Sequence, residues 1–351
     1  MEREKTKAVR AAVYYSNSDI RVEERPRPEI GDGEILVKVE ASGICGTDCL
    51  EWYRKDKVPL VLGHEIAGTI VSVGKGIKRY RPGDRVSASH HVPCGECRLC
   101  RAGHETVCDT LRKTSFDPGG FAEFVRIPKI NVDKFGIYSI PKNVSFEEAT
   151  FVEPLACVVR GQRLAGFKKE KSILVIGSGI SGLLHIRLAR TSGAKNIVAT
   201  DINDFRLDAA KRSGADFVFN SKDYTPEKLR AVNGGYLADL VVICSGAKPA
   251  FEQGLRSVER GGTVLIFAAA DKDALLPVST NDMFWRSEVT VLSSYAGSPA
   301  DHIEALGKID TKRVIVHDMI THRVGLFDAV KGFRLVAGAG ESLKVIVEPQ
   351  R

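Results

Sequence analysis

The hydrophobic pattern changes character along the chain. Up to about residue 160, short runs of alternating or β-branched apolar residues are separated by Gly and Pro, as in EILVKVEASGI and AGTIVSVG. This pattern is typical of a β-rich domain. From about Lys171, short continuous apolar runs such as SILVIG and DLVVICSG alternate with helical stretches such as GLLHIRLARTSG. Strands that alternate with helices predict βαβ units and a parallel sheet.

The C-terminal segment predicts a return to the first domain. After about Ser293 the chain carries a helical pattern, FDAVKGFRLVAG, and a last strand, LKVIVEP, which resembles the strands of the first part. We therefore expect an α/β protein in which a β-rich domain is interrupted, from about Lys171 to about Ser293, by a doubly wound domain.

Composition and charge exclude several classes of protein. Apolar residues make up 43% and charged residues 27% of the chain, as in ordinary globular domains. No apolar run reaches the ~20 residues that cross a bilayer, and the start MEREKTKAVR lacks the apolar core of a signal peptide. We expect a cytoplasmic protein with reduced thiols and no membrane partner. The net charge of +7 is not gathered into a basic block, so we expect no nucleic-acid partner.

A glycine motif opens the second domain. Gly177, Gly179 and Gly182 form G-x-G-x-x-G between a predicted strand and a predicted helix. This arrangement gives a tight turn, close approach of backbone N–H groups to a pyrophosphate, and close packing of the helix on the strand. The next predicted strand ends at Asp201, whose carboxylate can accept from the ribose hydroxyls and would repel a 2′-phosphate. The motif therefore predicts NAD, while Arg206 leaves NADP open and a glycine turn without ligand is the alternative. The expected cofactor-binding residues are Gly177, Gly179, Ile180, Gly182, Asp201, Arg206 and Ser245.

Four cysteines lie within the polar stretch CGECRLCRAGHETVC, in a lobe predicted at 90–110. Zinc takes four thiolates tetrahedrally, and such a site has no open position for a substrate. Its binding energy stabilises the local fold. An iron–sulfur cluster and reduced thiols without metal are the alternatives. The spacing predicts a structural zinc on Cys94, Cys97, Cys100 and Cys108.

A second set of possible ligands comes from three separate segments, GICGTD (43–48), GHEIAG (63–68) and VEPLA (152–156). Cysteine and histidine are suitable ligands for a catalytic zinc, which keeps one coordination position open. Taken singly, each residue is as well explained as a buried core group or a solvated turn residue. The segments offer Cys45, His64, Glu65 and Glu153.

Together and in this order, the motifs resemble the zinc-dependent medium-chain dehydrogenase/reductases, within them the sorbitol (polyol) and L-threonine dehydrogenase branch. The resemblance covers essentially the whole chain and rests also on the run GHEIAGTIVSVGKGIKRYRPGDRV. It implies a GroES-like β-rich catalytic domain at about 1–160 and 298–351 and a Rossmann NAD-binding domain at 161–297. It also implies one catalytic and one structural zinc, and a homodimer or homotetramer. It also implies hydride transfer from a secondary alcohol, of the polyol, cyclitol or sugar-like class, to NAD.

The resemblance assigns the metal ligands. Cys45 and His64 match the catalytic zinc ligands of the family. Glu65 matches a glutamate that is a ligand in some members and contacts a ligand in others. Glu153 matches a glutamate that completes the coordination sphere directly or through zinc-bound water.

The resemblance also assigns two residues that act beside the metal. Asp48 matches a carboxylate that orients the histidine ligand, as expected of groups that contact metal ligands. Thr47 matches the hydroxyl that accepts the substrate proton. Zinc lowers the pKa of a bound alcohol, so that proton can leave near neutral pH.

The chain departs from the family pattern at substrate-facing positions. Leu50 stands where many members carry a histidine, which counts against L-threonine as the substrate. Ser294 precedes Tyr295 where sorbitol dehydrogenases carry Arg-Tyr, so a cation that contacts polyols is missing. We expect the segment 52–54 (Trp-Tyr-Arg) to shape a different pocket wall. His90 and His91 lie near a family pocket position, although an ordinary surface or core role suits them equally.

Other functions remain as alternatives. Oxidation of L-threonine or of a simple secondary alcohol needs the same fold and metal. A zinc-ribbon nucleic-acid module joined to a nucleotide sensor would lack open-site ligands and carry a basic, aromatic face. A zinc-free quinone reductase of the same fold would lack both cysteine sets. The residues favour a small-molecule alcohol or polyol as the partner.

Overall fold

The computed structural model describes residues 8–276 and 278–351. Contacts divide the chain into two compact units, and the first runs to Ala156 and resumes at Gly297, while the second spans Cys157–Ala296. The sequence places the same boundaries at 160/161 and 297/298. Residues 1–7, which contain most of the segment that argues against a signal peptide, lie outside the described residues. Among the described residues, none of the helices has the length and apolar character needed to cross a bilayer.

The strands are numbered in chain order. They are β1 (Ala8–Ser16), β2 (Asp19–Pro26), β3 (Ile35–Gly43), β4 (Leu60–Val61), β5 (Glu65–Val73), β6 (Arg85–Ala88), β7 (Phe124–Ile127), β8 (Ile137–Ser139), β9 (Ser172–Ile176), β10 (Asn196–Asp201), β11 (Phe217–Asn220), β12 (Ala238–Ile243), β13 (Val258–Ile266), β14 (Thr290–Ser293), β15 (Ile320–Gly325) and β16 (Lys344–Glu348).

The helices are numbered in the same way. They are α1 (Glu51–Arg54), α2 (Arg98–Arg101), α3 (Asp109–Lys113), α4 (Lys129–Asp133), α5 (Phe146–Ala149), α6 (Val152–Leu164), α7 (Ile180–Thr191), α8 (Asp204–Arg212), α9 (Pro226–Val232), α10 (Lys248–Leu255), α11 (Thr280–Met283), α12 (Pro299–Asp310) and α13 (Ala329–Ala337). Short 3-10 turns include Gly46–Cys49 and Glu105–Val107.

The first unit is built on a seven-stranded sheet in the order β15-β16-β3-β5-β6-β8, with β7 paired to β3. Strands β2, β1 and β4 form a separate three-stranded sheet, in the order β2-β1-β4. The strands of the seven-stranded sheet contribute to a buried apolar core, which includes Ile35, Val37, Ile66 and Val125. The last strand, β16, pairs antiparallel with β3. The C-terminal segment therefore joins the seven-stranded sheet of the first unit beside β3.

The second unit is a six-stranded parallel sheet in the order β11-β10-β9-β12-β13-β14. Its first strand, β9, lies at the centre and is buried at every residue, which is expected where helices cover both faces of a parallel sheet. The predicted doubly wound sheet and the α/β class are confirmed. The order reverses between β9 and β12, and ligands of such sheets bind outside the carboxyl ends of strands at this point.

Candidate active site

Cys45 is presented by a tight turn at the end of β3. The backbone N–H of Cys45 donates to Asp48 Oδ2 at 3.1 Å, which closes the 3-10 turn Gly46–Cys49. Within this turn, Thr47 Oγ1 donates to Cys45 Sγ at 3.2 Å. A sulfur ligand and a hydroxyl are therefore fixed next to each other by local chain geometry alone.

His64 faces a buried carboxylate. Its Nδ1 lies 3.3 Å from Asp48 Oδ1, and the guanidinium of Arg54 lies 3.7 Å from the same oxygen. The Asp48 side chain is 0% exposed. Because Nδ1 faces Asp48, the other ring nitrogen of His64 is left to bind a metal, the arrangement that orients many histidine ligands.

The charges of this pair reinforce each other. Burial opposes protonation of His64, but Asp48 and Cys45 outweigh it and raise the pKa of His64 well above its ordinary value. Burial likewise opposes ionisation of Asp48, but His64 and Arg54 lower the pKa of Asp48. The pair binds a proton tightly, and a metal ion at His64 would displace it, since metal ligation requires the neutral imidazole.

Glu65 is held by a lysine from the far end of the chain. Glu65 begins β5 and Lys344 begins β16, and their side chains form a salt bridge with each 1% exposed. Gly43 permits this approach, since a Cβ there would lie 2.1 Å from Glu65 Oε2. The lysine neutralises one side of the carboxylate in a place where an unpaired charge would be costly.

Cys45, His64 and Glu65, here called the thiolate triad, converge. Their ligand atoms lie within 4.8 Å of one another. Sulfur, imidazole nitrogen and carboxylate oxygen are the ligand types of catalytic zinc, and three protein ligands leave a position open. The donor set therefore fits the metal that the sequence predicts.

Glu153 joins a different group. It lies in the first turn of α6, and its carboxylate groups with His90 and His91, which follow β6. The ligand atoms of this histidine triad also lie within 4.8 Å of one another. Burial, and then the neighbouring imidazoles, lower the pKa of both histidines, that of His91 to about 3 in total. The sequence names all three residues but does not predict that they meet.

The four predicted structural ligands meet in a short lobe around α2. The sulfur atoms of Cys94, Cys97, Cys100 and Cys108 lie within 4.8 Å of one another, and the described cysteines form no disulfide. The backbone N–H of Cys97 donates to Cys94 Sγ at 3.3 Å. Hydrogen bonds from the backbone N–H groups of Glu96 and Cys97 lower the pKa of the Cys94 thiol to about 6. The donor set of this four-cysteine lobe fits a tetrahedral metal.

The predicted glycine motif lies between β9 and α7 in the second unit. Gly177 has φ of 91°, a conformation that favours glycine. A Cβ on Gly182 would lie 2.0 Å from the carbonyl oxygen of Gly177, so α7 packs on the turn only with glycine there. Gly179 and Ile180 begin α7, a helix of 12 residues with its N-terminus at the end of the strand. Backbone N–H groups and the helix dipole suit a phosphate there.

Asp201 is already engaged by its surroundings. It ends β10 and accepts from the backbone N–H of Ser178 at 2.7 Å and of Asn203 at 2.9 Å. It thereby ties the glycine loop to the neighbouring strand. Sequence reasoning assigns it a ribose contact but does not predict this bracing.

The two remaining cofactor candidates lie close to the same loop. The guanidinium of Arg206 lies near Gly179, at 3.8 Å from the position that a Cβ on that glycine would occupy. The Nε of Arg206 has no hydrogen-bond partner among the described residues. Ser245 follows β12, and its Oγ accepts from the backbone N–H of Ala247 at 3.3 Å. Both residues follow the carboxyl ends of strands of this sheet, Arg206 after β10 and Ser245 after β12.

The residues at which the sequence departs from the family pattern occur in both units. In the first unit, Arg54 donates to the carbonyl of Thr47 at 3.2 Å and lies over the ring of Tyr53. Leu50 precedes α1. Ser294 and Tyr295 follow β14 in the second unit. A cation from α1 is therefore present beside Thr47, at a position where the sequence identifies only a pocket wall.

Comparison with protein families gives two matches that together cover most of the chain. Residues 31–136 match the alcohol dehydrogenase GroES-like domain. Residues 181–311 match the zinc-binding dehydrogenase family. The first match lies within the first unit and contains Cys45, His64 and the four-cysteine lobe.

Individual relatives span nearly the whole chain. The L-threonine 3-dehydrogenase of Rhizobium johnstonii is 32% identical over 93% of this chain and 94% of its own. The sorbitol dehydrogenase of Gallus gallus is 29% identical over 96% of each. The crystal structure of a zinc-binding dehydrogenase from Sinorhizobium meliloti 1021 bound to NADP superposes with a TM-score of 0.86, at 29% identity over 98% of this chain and 100% of that one.

Proposed function

The chain belongs to the zinc-dependent medium-chain dehydrogenase/reductase family, which makes it an NAD(P)-dependent alcohol oxidoreductase, and we propose that it oxidises a polyol, cyclitol or sugar-like secondary alcohol with NAD. The observation that carries this is the thiolate triad, whose ligand atoms lie within 4.8 Å of one another beside the hydroxyl of Thr47. The sorbitol dehydrogenase relative supports the polyol class. The product would be a ketone.

Two zinc ions are proposed per chain. Cys45 and His64 would hold the catalytic ion together with Glu65, and Glu153 is the other glutamate available to it. Such an ion, when bound, lowers the pKa of the substrate alcohol. The four-cysteine lobe would hold the second ion, which has no open position and stabilises the local fold.

Three side chains of the first unit would prepare the reaction. Thr47 would accept the proton of the substrate hydroxyl and pass it outward. Asp48 would hold His64 in the orientation that presents its second nitrogen, as its 3.3 Å distance from Nδ1 supports. In the wild type, Lys344 would fix Glu65 in place through the buried salt bridge.

The second unit would bind the dinucleotide, which takes up the hydride in the reaction. The backbone at Gly177, Gly179 and Ile180 would bind the pyrophosphate, with Gly182 permitting the close helix packing. Asp201 would accept from the ribose hydroxyls, which favours NAD. Arg206 is the residue that would tolerate a 2′-phosphate, and the similar Sinorhizobium meliloti structure contains NADP. Ser245 would line the same edge.

A second candidate is oxidation of L-threonine or of a simple secondary alcohol. The L-threonine 3-dehydrogenase relative is the observation in its favour. Leu50, which replaces the family histidine, counts against L-threonine. The substrate panel below distinguishes the two candidates.

The protein is proposed to form a homodimer or homotetramer in the cytoplasm. Strand β14 is the last in its sheet and has one edge without a partner strand among the described residues, and such edges favour pairing with another chain. Val291 of this strand is 37% exposed. A cytoplasmic location agrees with the clustered cysteines, whose metal binding requires reduced thiols.

The test is NADH formation by the zinc-loaded protein with polyols, cyclitols, sugars, L-threonine and simple secondary alcohols. We expect activity on polyols or cyclitols, and its loss in Cys45→Ala. Cys49→Ala is the matched control, because Cys49 lies in the same turn but contacts the carbonyl of Phe333 at 3.8 Å. Activity confined to L-threonine or simple alcohols would favour the second candidate. Absence of activity with every alcohol and both dinucleotides would reject the proposal.

A further inference from the structure

Arg54 contacts the turn that carries the proposed catalytic residues, although the sequence predicts only a pocket wall for its segment. Its Nη2 donates to the carbonyl oxygen of Thr47 at 3.2 Å. The same nitrogen lies 3.7 Å from Asp48 Oδ1. Arg54 ends α1, which follows the 3-10 turn Gly46–Cys49 after a single residue, Leu50. The short helix therefore folds the guanidinium back onto the turn that precedes it.

This contact places a positive charge beside a buried negative one. The side chain of Asp48 is 0% exposed and that of Arg54 is 15% exposed. Asp48 Oδ1 also faces His64 Nδ1 at 3.3 Å. His64 must be neutral to bind a metal, so its ring then brings Asp48 an N–H donor but no charge. Arg54 supplies a lasting positive charge to a carboxylate that would be costly to bury without one.

The guanidinium is held against the turn by attraction rather than by a full set of hydrogen bonds. Its central carbon lies 4.9 Å from the centre of the Tyr53 ring, a distance at which cation–π attraction acts. The Nε of Arg54 is buried and has no hydrogen-bond partner among the described residues. Because an unpaired buried donor is costly, the attraction of Asp48 and of the ring must outweigh that cost.

We propose that Arg54 is a positioning residue for the catalytic metal, which acts through Asp48 on the orientation of His64 and through the carbonyl of Thr47 on the turn that carries its hydroxyl. The metal belongs to the proposed function, on which this role rests. Groups that orient a metal ligand from behind contribute to how tightly the metal is held. The guanidinium suits this position because it is always charged and its planar donors can serve two oxygens.

The experiment measures how tightly the full-length protein holds Co²⁺ at the thiolate triad, with the four-cysteine lobe kept loaded with zinc. The signal is the thiolate-to-cobalt absorption that Cys45→Ala removes, followed in competition with a chelator. We expect Arg54→Met to lower the affinity for Co²⁺ by about 10–100-fold. Arg54→Lys should lower it less, because a positive charge remains beside Asp48.

A second arginine of the same unit offers a matched control. Arg21 also lies over a tyrosine ring and beside an aspartate, at 4.4 Å from the centre of the Tyr15 ring and 2.7 Å from Asp19. It belongs to β2, and its side chain is 61% exposed. Arg21→Met should therefore hold Co²⁺ as tightly as the wild type.

A double variant separates a positioning role from a merely structural one. If Arg54 acts through Asp48, Arg54→Met should cost little further Co²⁺ affinity in the Asp48→Asn background, because the carboxylate that it compensates is already gone. Losses in the two single variants that multiply in the double variant would overturn the proposal. An Arg54→Met variant that holds Co²⁺ like the wild type would also overturn it. Arg54→Gln is measured in its place if Arg54→Met does not fold, as judged by circular dichroism.

Failure of the proposed function would look different. Cobalt absorption that is the same in Cys45→Ala and the wild type would show that the thiolate triad holds no metal, and the role of Arg54 would be rejected with it. Because the affinity for Co²⁺ is measured without substrate, its dependence on Arg54 stands even if the protein oxidises none of the alcohols in the panel.

Discussion

The four-cysteine lobe and the thiolate triad both gather metal ligands, but by opposite routes. The lobe takes all four sulfurs from one stretch, Cys94 to Cys108. The backbone N–H of Cys97 within it and that of Leu111 just after it donate to the sulfurs. The triad takes its ligands from two segments and depends on a third for Lys344. A local motif can close its own site, whereas the triad exists only after the sheet has formed.

The sheet register explains the triad. Gly43 of β3 pairs with Glu65 of β5, and Ile346 of β16 pairs with Gly43 from the other side. Three strands thus place Cys45, His64 and Lys344 around one glycine. The comparison predicts that the lobe supports stability and the triad supports catalysis, and substitutions can separate the two.

The largest expected effects come from removing one cysteine from the thiolate triad and, separately, one from the four-cysteine lobe. Cys45→Ala should abolish NADH formation, by about 100-fold or more, while the Tm changes little, because the turn at Cys45 is closed by Asp48. Cys100→Ala should lower the Tm by about 10 °C, because it breaks the metal set of the lobe. Activity assays and thermal unfolding of both variants check this. Equal losses of activity and Tm in both would contradict the division of roles.

The next effect concerns the buried salt bridge behind the triad. Lys344→Met leaves the carboxylate of Glu65 buried without its cation, and we expect a loss of about 3–5 kcal/mol in the free energy of unfolding. The double variant Glu65→Gln/Lys344→Met should recover part of that loss, because no buried charge remains. Denaturant unfolding of the two variants is the measurement. A single variant as stable as the wild type would show that the pair is not energetically coupled.

A smaller effect is expected at the residue that orients the histidine ligand. Asp48→Asn keeps the shape of the side chain but removes the negative charge that faces His64 and Arg54. We expect a loss of about 10–100-fold in activity or metal affinity. Metal titration and steady-state kinetics check it. Asp84→Asn is the matched control and should behave as the wild type, because the half-buried Asp84 pairs with the exposed Arg81 and an amide oxygen can still accept from the backbone N–H of Arg81.

The smallest effect is expected in the second unit. Asp201→Asn removes the charge that repels a 2′-phosphate, while its single amide oxygen keeps only one of the two hydrogen bonds from Ser178 and Asn203. We expect the KM for NAD to rise by about 10-fold and the preference over NADP to fall. Arg206→Ala in the same background should reverse any gain with NADP. An unchanged ratio of kcat/KM for the two dinucleotides would show that Asp201 does not set the preference.

Local features of the sequence predicted their structures well. The four cysteines lie within one short segment, and the structure gathers them in one lobe. The glycine motif lies within another short segment, and it forms the turn that begins α7. The parallel sheet followed from continuous apolar runs, since β9 is buried at every residue. In these cases neighbours in sequence are neighbours in space.

Contacts that depend on the register of strand pairing could not be predicted from the sequence. Nothing in LKVIVEP indicates that Lys344 faces Glu65, because that contact follows from how β16 pairs with β3. Glu153 was expected with Cys45 and His64, and the structure groups it with His90 and His91. The double histidine after β6 was the available signal for that group, but a histidine pair has no fixed meaning without its partner carboxylate.

We infer that the thiolate triad acts in catalysis, whereas the four-cysteine lobe stabilises the fold. Stepwise removal of zinc with a chelator, followed by activity and Tm at each metal content, tests it directly. We expect activity to disappear while the Tm is still close to that of the loaded protein, and the Tm to fall only as the last ion leaves. Parallel loss of activity and Tm from the first ion onward would contradict it.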